Sequence, residues 1–171
     1  MAVITPLSRK QIETFLLDYA HLGQLTELKP TLQGIENTSY FLTLQRPGQT
    51  PSPCVLTLFE ELTDQQLPFY NRLLQQLADE SLPVPAPIPN QHGEVHASIQ
   101  NKPAVLFPRL RGKHPEQINK KQCIEIGLFL GRMHRITADS QSTQANPRGL
   151  QWMQPSLEYL TPHLNSTDQQ L

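Results

Sequence analysis

In the run Gly34-Ile-Glu-Asn-Thr-Ser39, the residues Gly34, Asn37, Thr38 and Ser39 are of the types that can hold a phosphate. Gly34 and Asn37 accept left-handed backbone angles. The hydroxyls of Thr38 and Ser39 add donors beside the backbone N–H groups that a tight turn leaves free. The same composition also makes an ordinary hairpin turn, and on these residues alone both readings stand. A second group, Arg109, Arg111, Lys113, Lys120 and Lys121, is basic. It reads either as a solvated face or as a source of positive potential beside a bound anion. His134, at the end of a helical stretch, has the ordinary task of meeting C-terminal carbonyls. No Cys/His set has zinc spacing, and no Gly-x-Ser-x-Gly elbow supports a serine hydrolase.

The totals narrow the field. Across 171 residues, 15 acidic side chains nearly cancel 14 basic ones, so no global field draws the chain to nucleic acid or an anionic membrane. Hydrophobic residues make up 37%, below the roughly 45–50% of a compact domain. Sixteen prolines against eight glycines imply stiff connectors. Cys54 and Cys123 lie in apolar segments and read as reduced, buried thiols. The first residues have no apolar core of signal-peptide length, and no transmembrane run occurs after them; the expectation is a cytoplasmic soluble protein.

Strands and helices must position these groups. Ser8 and Gln11 form a capping box ahead of Ile12, Phe15, Leu16 and Tyr19 at helical spacing, and Gly23 is the stop; this predicts a short amphipathic helix lying on the outside of the elements that come after it in the chain. Three strands are expected between Leu25 and Glu60, with the turn at residues 34–39 between the first two. Tyr40, Leu42 and Leu44 alternate with Phe41, Thr43 and Gln45. Val55 to Phe59 is apolar or β-branched throughout and predicts a strand covered on both faces. Pro47, Pro51 and Pro53 confine residues 46–53 to an exposed hairpin loop.

A second helix starts near Leu67, with Pro68 in its first turn and Tyr70, Leu73, Leu74 and Leu77 on its buried face. Prolines 83, 85, 87 and 89 then impose an extended run. Strands are expected at Val95–Ile99 and Lys102–Leu110, and residues 111–115 form a break. From Asn119 to about Ile136 an unusually wide apolar arc predicts a helix surrounded by partners. Of the last 35 residues, 14 are Gln, Ser or Thr, and they read as the opening of a second lobe. The expected division is an N-terminal helix (1–24), a sheet domain (25–110), and a connector with the start of the second lobe (111–171).

That order, with seven short pieces, resembles the type II homoserine kinases of the aminoglycoside-phosphotransferase group. The pieces are Gly34-Ile-Glu-Asn-Thr-Ser-Tyr40, Val55-Leu-Thr-Leu-Phe-Glu60, Asp64-Gln-Gln-Leu-Pro-Phe-Tyr70, Leu82-Pro-Val-Pro-Ala-Pro87, Leu110-Arg-Gly112, Leu130-Gly-Arg-Met-His134 and Asn146-Pro-Arg-Gly-Leu-Gln-Trp152. The resemblance implies an α+β, protein-kinase-like N-lobe followed by the first helices of an incomplete helical C-lobe. It implies ATP and Mg2+ as cofactors and L-homoserine as the acceptor alcohol, on the route to threonine. By the same resemblance Gly34, Glu36, Asn37, Thr38 and Ser39 cover the phosphates, with Glu36 holding the loop or meeting phosphate through magnesium. Thr57 stands where most kinases place a lysine, and Phe107, Arg109 and Leu110 belong to the hinge along the adenine.

The loop departs from the protein-kinase pattern in having one glycine where Gly-x-Gly-x-x-Gly is expected. A further departure is an absence. The group's His-Gly-Asp catalytic loop does not occur, and Asp139 and Asp168 lie in polar sequence. Catalytic residues and metal ligands are therefore expected in a missing half, and the chain is expected to be inactive alone. Other readings are a kinase for another small alcohol, a non-catalytic nucleotide-binding module, and a non-functional remnant.

Overall fold

The structure is a computed structural model that describes residues 3–31, 34–113, 115–141 and 144–164. His114, in the break at 111–115, and Asp168 lie outside the described residues. The chain divides into two units, Met1–Asp139 and Ser140–Leu171.

In the first unit the Ser8 side chain and Gln11 close the expected capping box on helix α1 (Arg9–Leu16). The helix tightens into a 3-10 segment (Leu17–Leu22) that ends at Gly23, with φ 102°. A Cβ at Gly23 would lie 2.3 Å from the Gln45 carbonyl oxygen, so the chain can enter the sheet there only as glycine. Strands β1 (Gln24–Pro30), β2 (Asn37–Gln45) and β3 (Ser52–Phe59) come after it. Next are α2 (Leu67–Asp79), β4 (Ala97–Ile99) and β5 (Lys102–Pro108). The five strands form one antiparallel sheet in the order β1-β2-β3-β5-β4. This is an α+β fold.

The period of two along each strand gives the sheet two faces. On one, Ile12, Phe15, Leu16 and Tyr19 of α1 and its extension pack with Tyr40, Leu42, Leu44, Leu56, Leu58 and Leu106. The first helix thus supplies a large part of the main core. On the other face Leu67 of α2 packs with Val105 and Phe107, joined by Phe59, Leu62 and Leu74.

Several details differ from the sequence expectation, and Ser52 and Pro53, expected in the loop, open β3 opposite Leu44 and Thr43. Ladder pairing with β3 already begins at Asn37, so the turn ahead of β2 is shorter than residues 34–39. Both faces are covered on β5, where Pro103 to Phe107 are all buried, whereas β3 alternates between buried and half-buried. The second face of β3 is covered by α2 only at the Phe59 end. The buried side chains of α2 are Leu67, Asn71 and Leu77, while Tyr70 and Leu73 are half-buried.

Helix α3 (Lys120–Thr137) is capped by Asn119 with Gln122. Its predicted apolar arc lies open, with Ile124, Ile126 and Leu128 exposed by 53, 59 and 61%. Gln76 Nε2 donates to the Ile136 carbonyl at 3.2 Å, tying the end of α3 to α2. The second unit carries α4 (Leu150–Leu160), which has Pro155 inside it and no buried side chain. Among the described residues no helix is long and apolar enough to cross a membrane. Cys54 is buried, which pushes its thiol up to about 11, whereas Cys123 on α3 is exposed rather than buried as its apolar setting suggested.

Candidate functional site

Register decides which side chains share the open face. Ser39 lies opposite Thr57 and Phe41 opposite Val55 on the β2–β3 ladder, and Val55 lies opposite Phe107 on the β3–β5 ladder. Ser39 Oγ and Thr57 Oγ1 are 3.3 Å apart. A cleft of about 750 Å3 runs over this face, lined by Phe41, Val55, Thr57, Phe107, Arg109 and Leu110, with Arg111 and Lys113 also on its wall. The Arg109 guanidinium carbon sits 4.2 Å from the centre of the Phe41 ring, a cation–π contact. The cleft therefore has flat apolar walls and a cationic border, which suits an aromatic ring carrying negative charge.

The segment after β5 offers few backbone donors. Pro108 has no N–H, and the Arg109 N–H donates to the Pro53 carbonyl at 3.0 Å. The Leu110 N–H has no hydrogen-bond partner among the described residues. Arg109 thus reaches the cleft with its side chain rather than its amide.

At the end of the sheet, Gly34 has φ 120°, and Gly34, Ile35 and Glu36 form an exposed bend. The residues after it do different things. Asn37 Oδ1 accepts from the Glu60 N–H at 3.4 Å. Thr38 is fully buried on the α1 side of the sheet. Its hydroxyl oxygen accepts from the Ile4 and Thr5 N–H groups, both at 2.9 Å, and donates to Glu60 Oε1 at 2.6 Å. Ser39, one residue on, faces the cleft. Of the group Gly34 to Ser39, the Thr38 hydroxyl is thus committed inside the fold.

Glu60 anchors this end. Its side chain, 5% exposed, pairs with Lys102 and accepts from Thr5 Oγ1 at 2.9 Å, while Lys102 Nζ also donates to Thr5 Oγ1 at 2.8 Å. Burial alone would push the carboxyl up, but donation from Lys102, Thr38 and Thr5 outweighs it and holds Glu60 below its ordinary value.

Phe41 and Val55 line the cleft although sequence reasoning passed over them as site residues. The signal was present, since residues two apart on a strand share a face, and Phe41 comes two after Ser39 as Val55 comes two before Thr57. A second groove of similar volume lies at the β1 edge, lined by Leu16, Leu17, Leu25 and Pro47 among others; it gathers none of the site residues expected from the sequence. Among the described residues no group of three or more His, Cys, Asp or Glu side chains could hold a metal ion.

Comparison with known proteins adds to this geometry. The profile of the phosphotransferase enzyme family matches residues 27–171. A homoserine kinase of Cupriavidus pinatubonensis is 40% identical over 171 residues, covering 100% of this chain and 51% of the relative. Another, of Cupriavidus taiwanensis, is 40% identical over 166 residues, covering 97% of this chain and 49% of the relative. The chain spans about half the length of the curated relatives it matches. Among solved structures, a spectinomycin phosphotransferase in complex with ADP and spectinomycin aligns with a TM-score of 0.64 at 13% identity, covering 95% of this chain and 50% of that one. At that identity the likeness concerns the fold.

Proposed function

Because this chain belongs to the phosphotransferase enzyme family, we propose that it forms the nucleotide-binding part of an ATP-dependent kinase whose acceptor is the side-chain hydroxyl of L-homoserine. The observation that carries the nucleotide half of this reading is the cleft of Phe41, Val55 and Phe107 beside the segment at 107–110. The acceptor half rests on whole-chain similarity to homoserine kinases.

On this reading Phe41, Val55 and Phe107 form one apolar surface for the base, and the Leu110 N–H donates to its edge. The Gly34–Asn37 backbone and the Ser39 hydroxyl approach the phosphates. Thr57 adds a hydroxyl where a lysine would add a charge, which leaves Arg109, Arg111 and Lys113 as the cations of the cleft. Glu36 belongs to the bend rather than to a phosphate, since like charges repel.

Magnesium supplies charge neutralisation in phosphoryl transfer. The described residues offer no group of three or more His, Cys, Asp or Glu side chains for it. Transfer also needs a group that orients the attacking hydroxyl, and the His-Gly-Asp loop that the resemblance leads one to expect does not occur in this sequence. The role assigned to these residues is holding the nucleotide, in the cytoplasm, within a two-lobed arrangement.

Isothermal titration of the chain with ATP and magnesium tests the nucleotide half. Saturable binding at millimolar nucleotide or below is expected, and Phe41→Ala should weaken it about tenfold, the loss of one stacked ring at about 1–1.5 kcal/mol. No binding at millimolar ATP would sink the reading. The acceptor is tested in a polypeptide that carries both lobes. There, ADP release should require homoserine, and release driven only by a different alcohol would replace the acceptor.

A further inference from the structure

We propose that Glu60 is a positioning residue, which sets the Gly34–Asn37 bend for the phosphates of a nucleotide without touching them. The inference rests on the nucleotide reading of the cleft. Glu60 is the residue immediately after β3, and the β2–β3 register puts Asn37 opposite Phe59, so Glu60 lies beside the point where the bend enters the sheet. Two contacts run from it to the residues that end the bend. One is through its carboxylate to the Thr38 hydroxyl at 2.6 Å; the other is through its N–H to Asn37 Oδ1 at 3.4 Å. Two more fix Glu60 from behind, the pair with Lys102 and the bond from Thr5 at 2.9 Å.

Stability alone does not account for this arrangement. Taking a carboxylate out of water costs several kcal/mol after relaxation, Lys102 keeps 32% of its side chain exposed, and apolar side chains could have closed the end of the sheet. What the acid adds is direction. A charge-assisted bond to one hydroxyl fixes the strand's first residues at a set position, and the bend ahead of them inherits it. A bend held before its ligand arrives loses less freedom on binding. The anchor lies on the α1 side of the sheet and the cleft on the other, so the carboxylate's charge stays away from the phosphates whose loop it holds.

The experiment compares ADP with adenosine, because only ADP reports on the bend. Both are titrated into the wild-type chain and into Glu60→Gln, Thr38→Val and Thr38→Ser, with thermal midpoints measured alongside. If the anchored bend is populated about a tenth of the time in Glu60→Gln, ADP affinity falls about tenfold. Adenosine affinity stays within about twofold, because the base walls do not depend on the bend. Thr38→Val, of similar shape but without the hydroxyl, should behave as Glu60→Gln does, and Thr38→Ser should restore the wild-type ratio of the two affinities. Two outcomes overturn the proposal: unchanged ADP affinity in both Glu60→Gln and Thr38→Val, or equal losses for ADP and adenosine, the mark of a general loosening. A wild-type chain that binds neither ligand defeats the nucleotide reading itself, and the proposal with it. Should Glu60→Gln fail to fold, the Thr38 pair decides alone.

Discussion

A carboxylate with 5% of its side chain exposed keeps its charge only while donors surround it, and Glu60 has three side chains doing so. Linkage fixes the sign of the consequence. A carboxyl held below its ordinary value stabilises the fold at pH above the unfolded-state value, and that contribution is lost as pH falls through the lower folded value. Wild type should therefore exceed Glu60→Gln in thermal midpoint by a constant amount near neutrality, and the gap should close below about pH 4, where the unfolded carboxyl takes up its proton. A gap that stays constant through acid would mean that the charge is not what holds this corner. The same corner shows where sequence reasoning stopped short. Types and spacing selected Gly34 to Ser39, but the side each residue faces depends on where pairing begins. Once β2 starts at Asn37, Thr38 must face α1 and Ser39 the cleft. Composition carries no such boundary, because pairing is settled by a strand that lies 15 or more residues further along.

Among the elements, α1 and α2 were legible because their apolar residues recur at helical spacing, and the capping box on α1 marked its start. Less legible was which strand would be covered twice. Apolar runs occur at both Val55–Phe59 and Ala104–Phe107, and only the order β1-β2-β3-β5-β4 puts the second where α2 covers it. Helix α2 carries an oddity on its buried side. Asn71 is 3% exposed, and neither amide atom of its side chain has a partner among the described residues. A buried amide without partners costs about 1–3 kcal/mol, so Asn71→Leu should stabilise the chain by about 1 kcal/mol once imperfect packing is counted, read as a higher urea midpoint. A lower midpoint would show that the amide is satisfied in solution.

On the scale of the whole molecule, apolar side chains on α3 and α4 lie open to solvent, in keeping with the wide arc on α3 and the sparse tail. The sequence showed the arc but not what would cover it. Since Ile126 and Leu128 are exposed by 59 and 61%, Ile126→Lys with Leu128→Glu should lower self-association without lowering the thermal midpoint. Light scattering and a melting curve on the same sample check both halves, and a fallen midpoint would mean that this face is already packed. The two cysteines gain a use from the same geometry. Cys54 sits under the sheet with its thiol pushed up to about 11, while Cys123 is exposed on α3. A maleimide dye will therefore go to one place with no engineering, and that place is the bare helix. Its fluorescence becomes a built-in reporter of whatever comes to cover it.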